Sequence, residues 1–416
     1  MSAVPTRAVA ALVLIALGAA CSGHASTTSR SRDAHTTPTL ATLYATSAGY
    51  TVPAPLPSAA PGTLISKRDA PAQARLVGAA HAWQVLYHST NLSDHDIAVS
   101  GLVLIPKGKP PAGGWPLAAW AHGTSGLADP CAPSIAKDLG NDSSAVREVT
   151  ALLAQNLAVV ASDYPGLGTP GVHTYLIGQA DARAVIDSVT AAHSVLGDTV
   201  SASWITVGHS EGGQTVLFVA QAADERAPRW KFLGTVAFAP ASQLNLLVAF
   251  AEATRDPVEQ AYLVYALEGL STVDPGVQVE ALLTPQARAF LADTTTGCID
   301  DITNDLARHP VDHLLAVDAA TKDRLAADLG RYDNPDHAAA AEPILITQGE
   351  IDNDVPAAGT NALVSQLCAL GDRVDYRTYL RLDHNNVVAG SQAVVQAWIT
   401  QRFAHATAPD NCAAQP

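Results

Sequence analysis

Positive charge is scarce in this sequence. Its 24 Lys and Arg stand against 39 Asp and Glu, a net charge of −15 over 416 residues. A face that binds nucleic-acid phosphates needs concentrated Lys and Arg, so the balance argues against nucleic acid as a partner. Metal patterns are missing too. His309 and His313 stand at i, i+4, but that run has no zincin Glu and Pro310 disturbs a helical start. Asp352-Asn353-Asp354 lacks the glycine and the distal Glu of a calcium loop. Gly166-Leu167-Gly168 lacks the strand and lysine context of a phosphate loop, and propeller-like repeats are absent. No metal or cofactor is expected.

What is present begins with a targeting segment, residues 1–20. Arg7 is its charged part and residues 8–17 its apolar part, too short to span a bilayer as a helix. Leu17-Gly18-Ala19-Ala20-Cys21 resembles a bacterial lipoprotein box, with Gly18 where Leu is usual. Lipidation at Cys21 would anchor the chain to a membrane, whereas plain cleavage after Ala20 would release it. Either way the chain is expected to be exported. Residues 21–62 read as a flexible tether with a Pro-rich lead-in. Cys131, Cys298, Cys368 and Cys412 then read as two disulfides, with three pairings open.

Residues 83–90 and 97–105 read as an antiparallel hairpin. Short, largely apolar strands follow at 117–121, 158–162, 204–207, 233–239 and 343–348, and a last, more polar one at 374–380, with helices between most of them. This rhythm indicates an α/β fold, a mostly parallel sheet covered by helices on both faces, with the hairpin as its edge. From 243 to 337 the rhythm changes to helices alone. That stretch reads as a helical cap inserted into a sheet domain made of 63–242 and 338–405, with a tail at 406–416. In its first helix Leu244, Leu247, Val248 and Ala251 fall on one face, either an acyl-binding surface or core.

The chain is organised around Gly208-His209-Ser210-Glu211-Gly212, between an apolar strand and an apolar helix. This is a nucleophile elbow. The turn is so sharp that residues two before and two after the serine crowd the backbone, and Gly208 and Gly212 have no side chain to clash. A serine nucleophile needs a base, and the base needs an acid. In this type of fold they follow in the order Ser, acid, His, on loops after successive strands. Asp352 follows the strand at 343–348, with Asp354 and then Glu350 as lesser candidates. His384 alone lies between the last strand and the last helix. The oxyanion hole is expected from the backbone N–H of Glu211 and that of Thr124, in His122-Gly123-Thr124 after an early strand.

These pieces resemble the secretory lipase family. The likeness also rests on residues 83–90, on Pro130-Cys131-Ala132-Pro133-Ser134 and on Asp163-Tyr164-Pro165-Gly166-Leu167-Gly168. It spans most of the chain after about residue 65. It implies an α/β hydrolase fold with an inserted cap, carboxylic-ester hydrolysis on lipid or acyl ester substrates, and the disulfides Cys131–Cys298 and Cys368–Cys412. Two further readings stay open: an acyltransferase using the same acyl-enzyme, and a surface protein that uses the fold for binding only.

Overall fold

The computed structural model describes residues 49–414 except Arg75, Asp336 and His337. The targeting segment 1–20, Cys21 and most of the tether lie outside the described residues. Among the described residues no helix is long and apolar enough to cross a membrane.

Among the described residues nine strands form one sheet in the order β1-β2-β3-β5-β4-β6-β7-β8-β9. They are β1 (Leu64–Asp69), β2 (Ala79–Thr90), β3 (Asp96–Pro106), β4 (Trp115–Ala121), β5 (Ala158–Ser162), β6 (Val200–His209), β7 (Lys231–Phe238), β8 (Ile344–Gly349) and β9 (Val374–Tyr379). The pairings β1·β2, β2·β3 and β3·β5 are antiparallel. All the others are parallel. The chain therefore has the α/β hydrolase fold. The expected hairpin is in fact the inner part of a three-strand edge. β1 escaped the sequence reading because Ser66, Lys67, Arg68 and Asp69 are all exposed, and a charged edge strand has no buried face to print a period on the sequence.

The central strands are apolar throughout because helices cover both sides of them. In β4, Leu117 and Ala119 face one core, and Ala118 and Trp120 the other. The first core also holds α2 (Gly178–Leu196) and α3 (Glu211–Arg226), through Val185, Val189, Val216 and Leu217. The second holds α1 (Ser143–Ala154) and the C-terminal helix Gln392–Phe403, through Val149, Leu152, Trp398 and Ile399. Side chains such as Ile205 and Val207, wholly buried here, each contribute about 1.5–3 kcal/mol.

Between β7 and β8 the chain is helical and has a core of its own. It contains α4 (Leu247–Thr254), α5 (Pro257–Ser271), α6 (Ile299–Arg308) and α7 (Ala319–Gly330). Pro257 sits at the first position of α5, whose N–H groups are orphans anyway, and Asp256 caps it by accepting from Val258 N at 2.8 Å. Leu263, Leu267, Ile302, Leu306 and Leu325 pack together inside. The helix α6 was not read from the sequence. Among the described residues two disulfides are present, in the pairings implied by the resemblance: Cys131–Cys298, 167 residues apart, and Cys368–Cys412, 44 apart. The first ties the N-terminus of α6 to the loop after β4. The second ties the tail to the helix Ala357–Leu370.

Candidate active site

The elbow lies at the carboxyl end of β6. Ser210 has φ 59° and ψ −118°, a conformation outside the usual regions for a residue with a side chain. Neighbouring backbone holds it there. Ser210 N donates to Phe238 O at 3.0 Å, and Ser210 O accepts from Gln214 N and Ala241 N, each at 3.0 Å. The two glycines have no room for anything else. A Cβ on Gly208 would lie 2.2 Å from Gly212 O, and one on Gly212 would lie 2.0 Å from Ala121 O. Thus Gly208 is needed by the turn itself, and Gly212 by its approach to β4.

The other two expected side chains come from the ends of β8 and β9. His384 Nδ1 meets Asp352 Oδ2 at 2.9 Å, with both residues buried. The Asp352 carboxylate is held from several sides. Its Oδ1 accepts from Asp354 N at 3.0 Å and Val355 N at 2.8 Å, and its Oδ2 accepts from Gln348 Nε2 at 2.9 Å. Burial alone would lower the pKa of His384. The hydrogen bond and charge of Asp352, helped by Asp354 and Asp142, outweigh it and raise the imidazole above its ordinary value of 6.5. Asp354 supplies its backbone N–H to Asp352, and its own carboxyl is pushed up by burial. Glu350 is exposed. Ser210 and His384 face one cavity.

Thr124 and Gly123 border that cavity. A Cβ on Gly123 would come within 3.5 Å of Ser210 Cβ, so this loop passes close beside Ser210. The Thr124 side chain is turned aside, its Oγ1 hydrogen-bonded to the Tyr175 hydroxyl at 2.7 Å. Glu211 opens α3, whose first N–H groups have no carbonyl four residues back to bond. The Glu211 side chain is buried against His173, with Oε1 to Nε2 at 3.0 Å. Burial disfavours a charged His173, and Glu211 more than offsets this, so its pKa stands above the ordinary value. The Glu211 side chain, next in sequence to Ser210, is therefore paired with an imidazole whose protonated form it favours.

Two lobes open on either side of Ser210. One, about 210 Å³, is mostly apolar and is lined by Leu244, Leu246, Leu247 and Phe250 of the helical insertion, with Val355 and Pro356 opposite. The other, about 270 Å³, is polar and includes Asn141, Asp142, Asp300, His384 and Asn385. The stripe expected on the first insertion helix is split. Val248 and Ala251 belong to the insertion's own core, Leu244 belongs to that core and also borders the apolar lobe, and Leu247, packed on the core's rim, borders the lobe with Leu246 and Phe250. The reason is local. Successive residues of α4 stand about 100° apart, so Leu247 reaches the lobe at the border of a stripe whose Val248 and Ala251 turn inward, and Leu244 precedes α4 in the 3₁₀ turn Leu244–Leu246.

The secretory lipase family model matches residues 144–411. The chain belongs to the secretory lipase family. A protein of Mycobacterium tuberculosis named a probable inactive lipase is 26% identical over 379 residues, 85% of this chain and 81% of that one. Candida antarctica lipase A in its closed state superposes with TM-score 0.69 at 19% identity, over 85% of this chain and 84% of that one. A rice cell wall degrading esterase from Xanthomonas oryzae gives 0.65 at 18% identity, over 83% and 97%. These structural likenesses carry the α/β hydrolase fold.

Several residues around this secretory-lipase site gave no sequence signal. Gln348 donates to Asp352, to Val355 O at 3.0 Å and to Gly349 O at 3.1 Å, while its own oxygen accepts from Thr360. His209 donates from Nε2 to His384 O at 2.9 Å, and burial lowers its pKa to about 4, so it is neutral near pH 7. It braces the His384 loop. Position beside Ser210 was the one available clue to His209; nothing comparable pointed to Gln348 or His173. His309 and His313 pair with Asp305 and Glu252 instead of meeting at one site.

Proposed function

We propose that this protein is an exported carboxylic-ester hydrolase acting through Ser210, His384 and Asp352. Asp352 holds His384 with a proton on Nδ1, which leaves Nε2 as the base. Ser210 Oγ attacks the ester carbonyl carbon and gives its proton to His384. The resulting oxyanion is met by the N–H groups of Thr124 and Glu211 at the positive end of α3. Collapse expels the alcohol, which takes the proton from His384, and leaves an acyl-Ser210. Water, deprotonated by the same imidazole, releases the carboxylic acid and frees the serine. His384 must be neutral to start, so activity should rise with pH through a value above 6.5.

The single observation that carries this reading is the 2.9 Å His384–Asp352 contact at the rim of the cavity holding Ser210. The apolar lobe supports an acyl chain as the bound half of the ester. In this reading 63–242 and 338–405 form the hydrolase core, 243–337 a cap over the site, and Cys21 the membrane anchor. The test is labelling by a fluorophosphonate together with hydrolysis of octanoyl esters. Label on Ser210 and activity that disappears in Ser210→Ala support the reading. An unlabelled, inactive wild type would favour a binding-only protein, consistent with the name of the Mycobacterium relative. Transfer of the acyl group to an added alcohol, in preference to water, would identify an acyltransferase; the polar lobe next to Ser210 gives an acceptor somewhere to sit.

A further inference from the structure

The polar lobe has an unusual lining for a site that handles lipids. Its wall carries three carboxylates, Asp142, Asp300 and Asp354, with no Lys or Arg among its lining residues. They come from three different parts of the chain. Asp142 is fixed as the N-cap of α1, accepting from Ser144 N at 2.8 Å and Ala145 N at 3.1 Å. Asp354 is fixed by its place in the Asp352 loop. Asp300 lies in the first turn of α6, and α6 is held over the lobe by Cys131–Cys298 and by Ile299 N donating to Ser125 O at 3.0 Å. A second observation points the same way. His209 lines the lobe, is only 2% exposed, and has no hydrogen-bond partner at Nδ1. Since its Nε2 donates to His384 O, Nδ1 is the acceptor of the neutral ring. The lobe is thus rich in acceptors, its three carboxylates set among the neutral side chains of Asn141, Ser143, Thr303 and Asn385.

Ser210 is shared by both lobes. An ester carbonyl at Ser210 with its acyl chain in the apolar lobe sends its alcohol half into the polar one. We propose that this lobe is the alcohol-side subsite and that Asp142, Asp300 and Asp354 select esters of uncharged polyols, against anionic alcohols and against apolar alcohols. Anionic groups meet like charge in a space partly shielded from solvent. Apolar alcohols strip water from carboxylates and give no hydrogen bond in return. A polyol hydroxyl donates to them. Anionic head groups and diacylglycerol-sized leaving groups are accordingly poor fits, and single-chain esters of glycerol-like or sugar-like alcohols are good ones. This rests on the ester-hydrolase reading above.

The test uses three octanoyl esters with one acyl half: of glycerol, of hexanol and of glycolate. For the wild type kcat/KM should favour the glycerol ester over the glycolate ester by at least about tenfold, and this margin should shrink as salt is raised. The hexanol ester should fall below the glycerol ester. Asp300→Asn should narrow the glycerol-to-glycolate ratio several-fold and Asp300→Lys further; Asp300 is exposed, and an unchanged melting curve would show that both variants fold. Equal rates on all three esters, or a ratio that ignores both salt and Asp300, overturns the subsite while leaving the hydrolase reading intact. No hydrolysis of any ester, with no fluorophosphonate label on Ser210, overturns both.

Discussion

The sheet edge and the helical insertion meet at Ser210, and they are built on opposite terms. At the sheet edge the elbow and the Asp352 loop are fixed largely by backbone. Gly212 lies against Ala121 O, Gly208 lies against Gly212 O, and the Asp352 carboxylate accepts two backbone N–H groups. In the insertion the residues facing the site are side chains on helices, several of them exposed: Leu246 is 57% and Phe250 36% exposed. Geometry that must be held within tenths of an ångström for chemistry is assigned to backbone contacts. Geometry that must suit a variable acyl chain is assigned to side chains that can change without moving the frame.

If that division holds, substitutions on the two sides should fail differently. The largest effect is expected from Gly212→Ala. Its Cβ has no space beside Ala121 O and His122 O, so the elbow must shift. A displacement of about 1 Å is enough for a loss of the order of a hundredfold in kcat/KM, and the melting temperature should drop as well. Kinetics and circular dichroism check this; a Gly212→Ala enzyme with native kinetics would break the comparison.

A smaller and more selective effect is expected from the insertion. Leu247→Trp, at the border of the apolar lobe, should reduce turnover of octanoyl and longer esters about tenfold while sparing acetyl esters, since one or two methylenes of pocket change are worth about 1–3 kcal/mol. Val248 is 3% exposed in the insertion's core. Val248→Trp should instead cost about 1–3 kcal/mol of stability and depress all chain lengths together. A chain-length series on both variants, with melting curves, sharpens or removes the distinction.

The smallest effect concerns pH. Glu259 of α5 lines the apolar lobe, and burial, with Asp354 and Asp256 nearby, pushes its carboxyl up to about 8. It is protonated at neutral pH and ionises as pH rises through 8, placing a charge in the wall of the apolar lobe. KM for an octanoyl ester should then rise a few-fold, about 1 kcal/mol or less of binding, and Glu259→Gln should flatten the profile. The linked stability has a definite sign. The folded pKa is above the unfolded value of 4.5, so the contribution is complete below pH 4.5 and is lost as pH climbs through 8. Glu259→Gln should lose that part of the pH slope in melting temperature.

The same contrast explains what was legible in the sequence. The elbow and Asp352 could be placed because strands buried on both faces are largely apolar runs, and the loops after them are where such a fold presents reactive groups; His384 could be placed because it alone among the histidines stands between the last strand and the last helix. The edge strand β1 had no buried face and was missed. The stripe Leu244, Leu247, Val248 and Ala251 left open whether it was core or acyl-binding surface; Val248 and Ala251 turn into the insertion's core, while Leu247 at the stripe's border reaches the apolar lobe and Leu244 touches both. Gln348, His173 and Asp142 owe their roles to partners 4 to 242 residues away along the chain, such as Asp352 for Gln348 and His384 for Asp142. No local pattern encodes contacts of that kind.

The claim that Ser210 and His384 act as one unit is tested most directly by kcat/KM for Ser210→Ala, His384→Ala and the double variant on one octanoyl ester. Each single substitution should lower activity by roughly five to six orders of magnitude, and the double should be no worse than the poorer single within about tenfold, because removing one member already disables the other. Losses that multiply in the double variant, or near-native activity in either single one, would contradict the account.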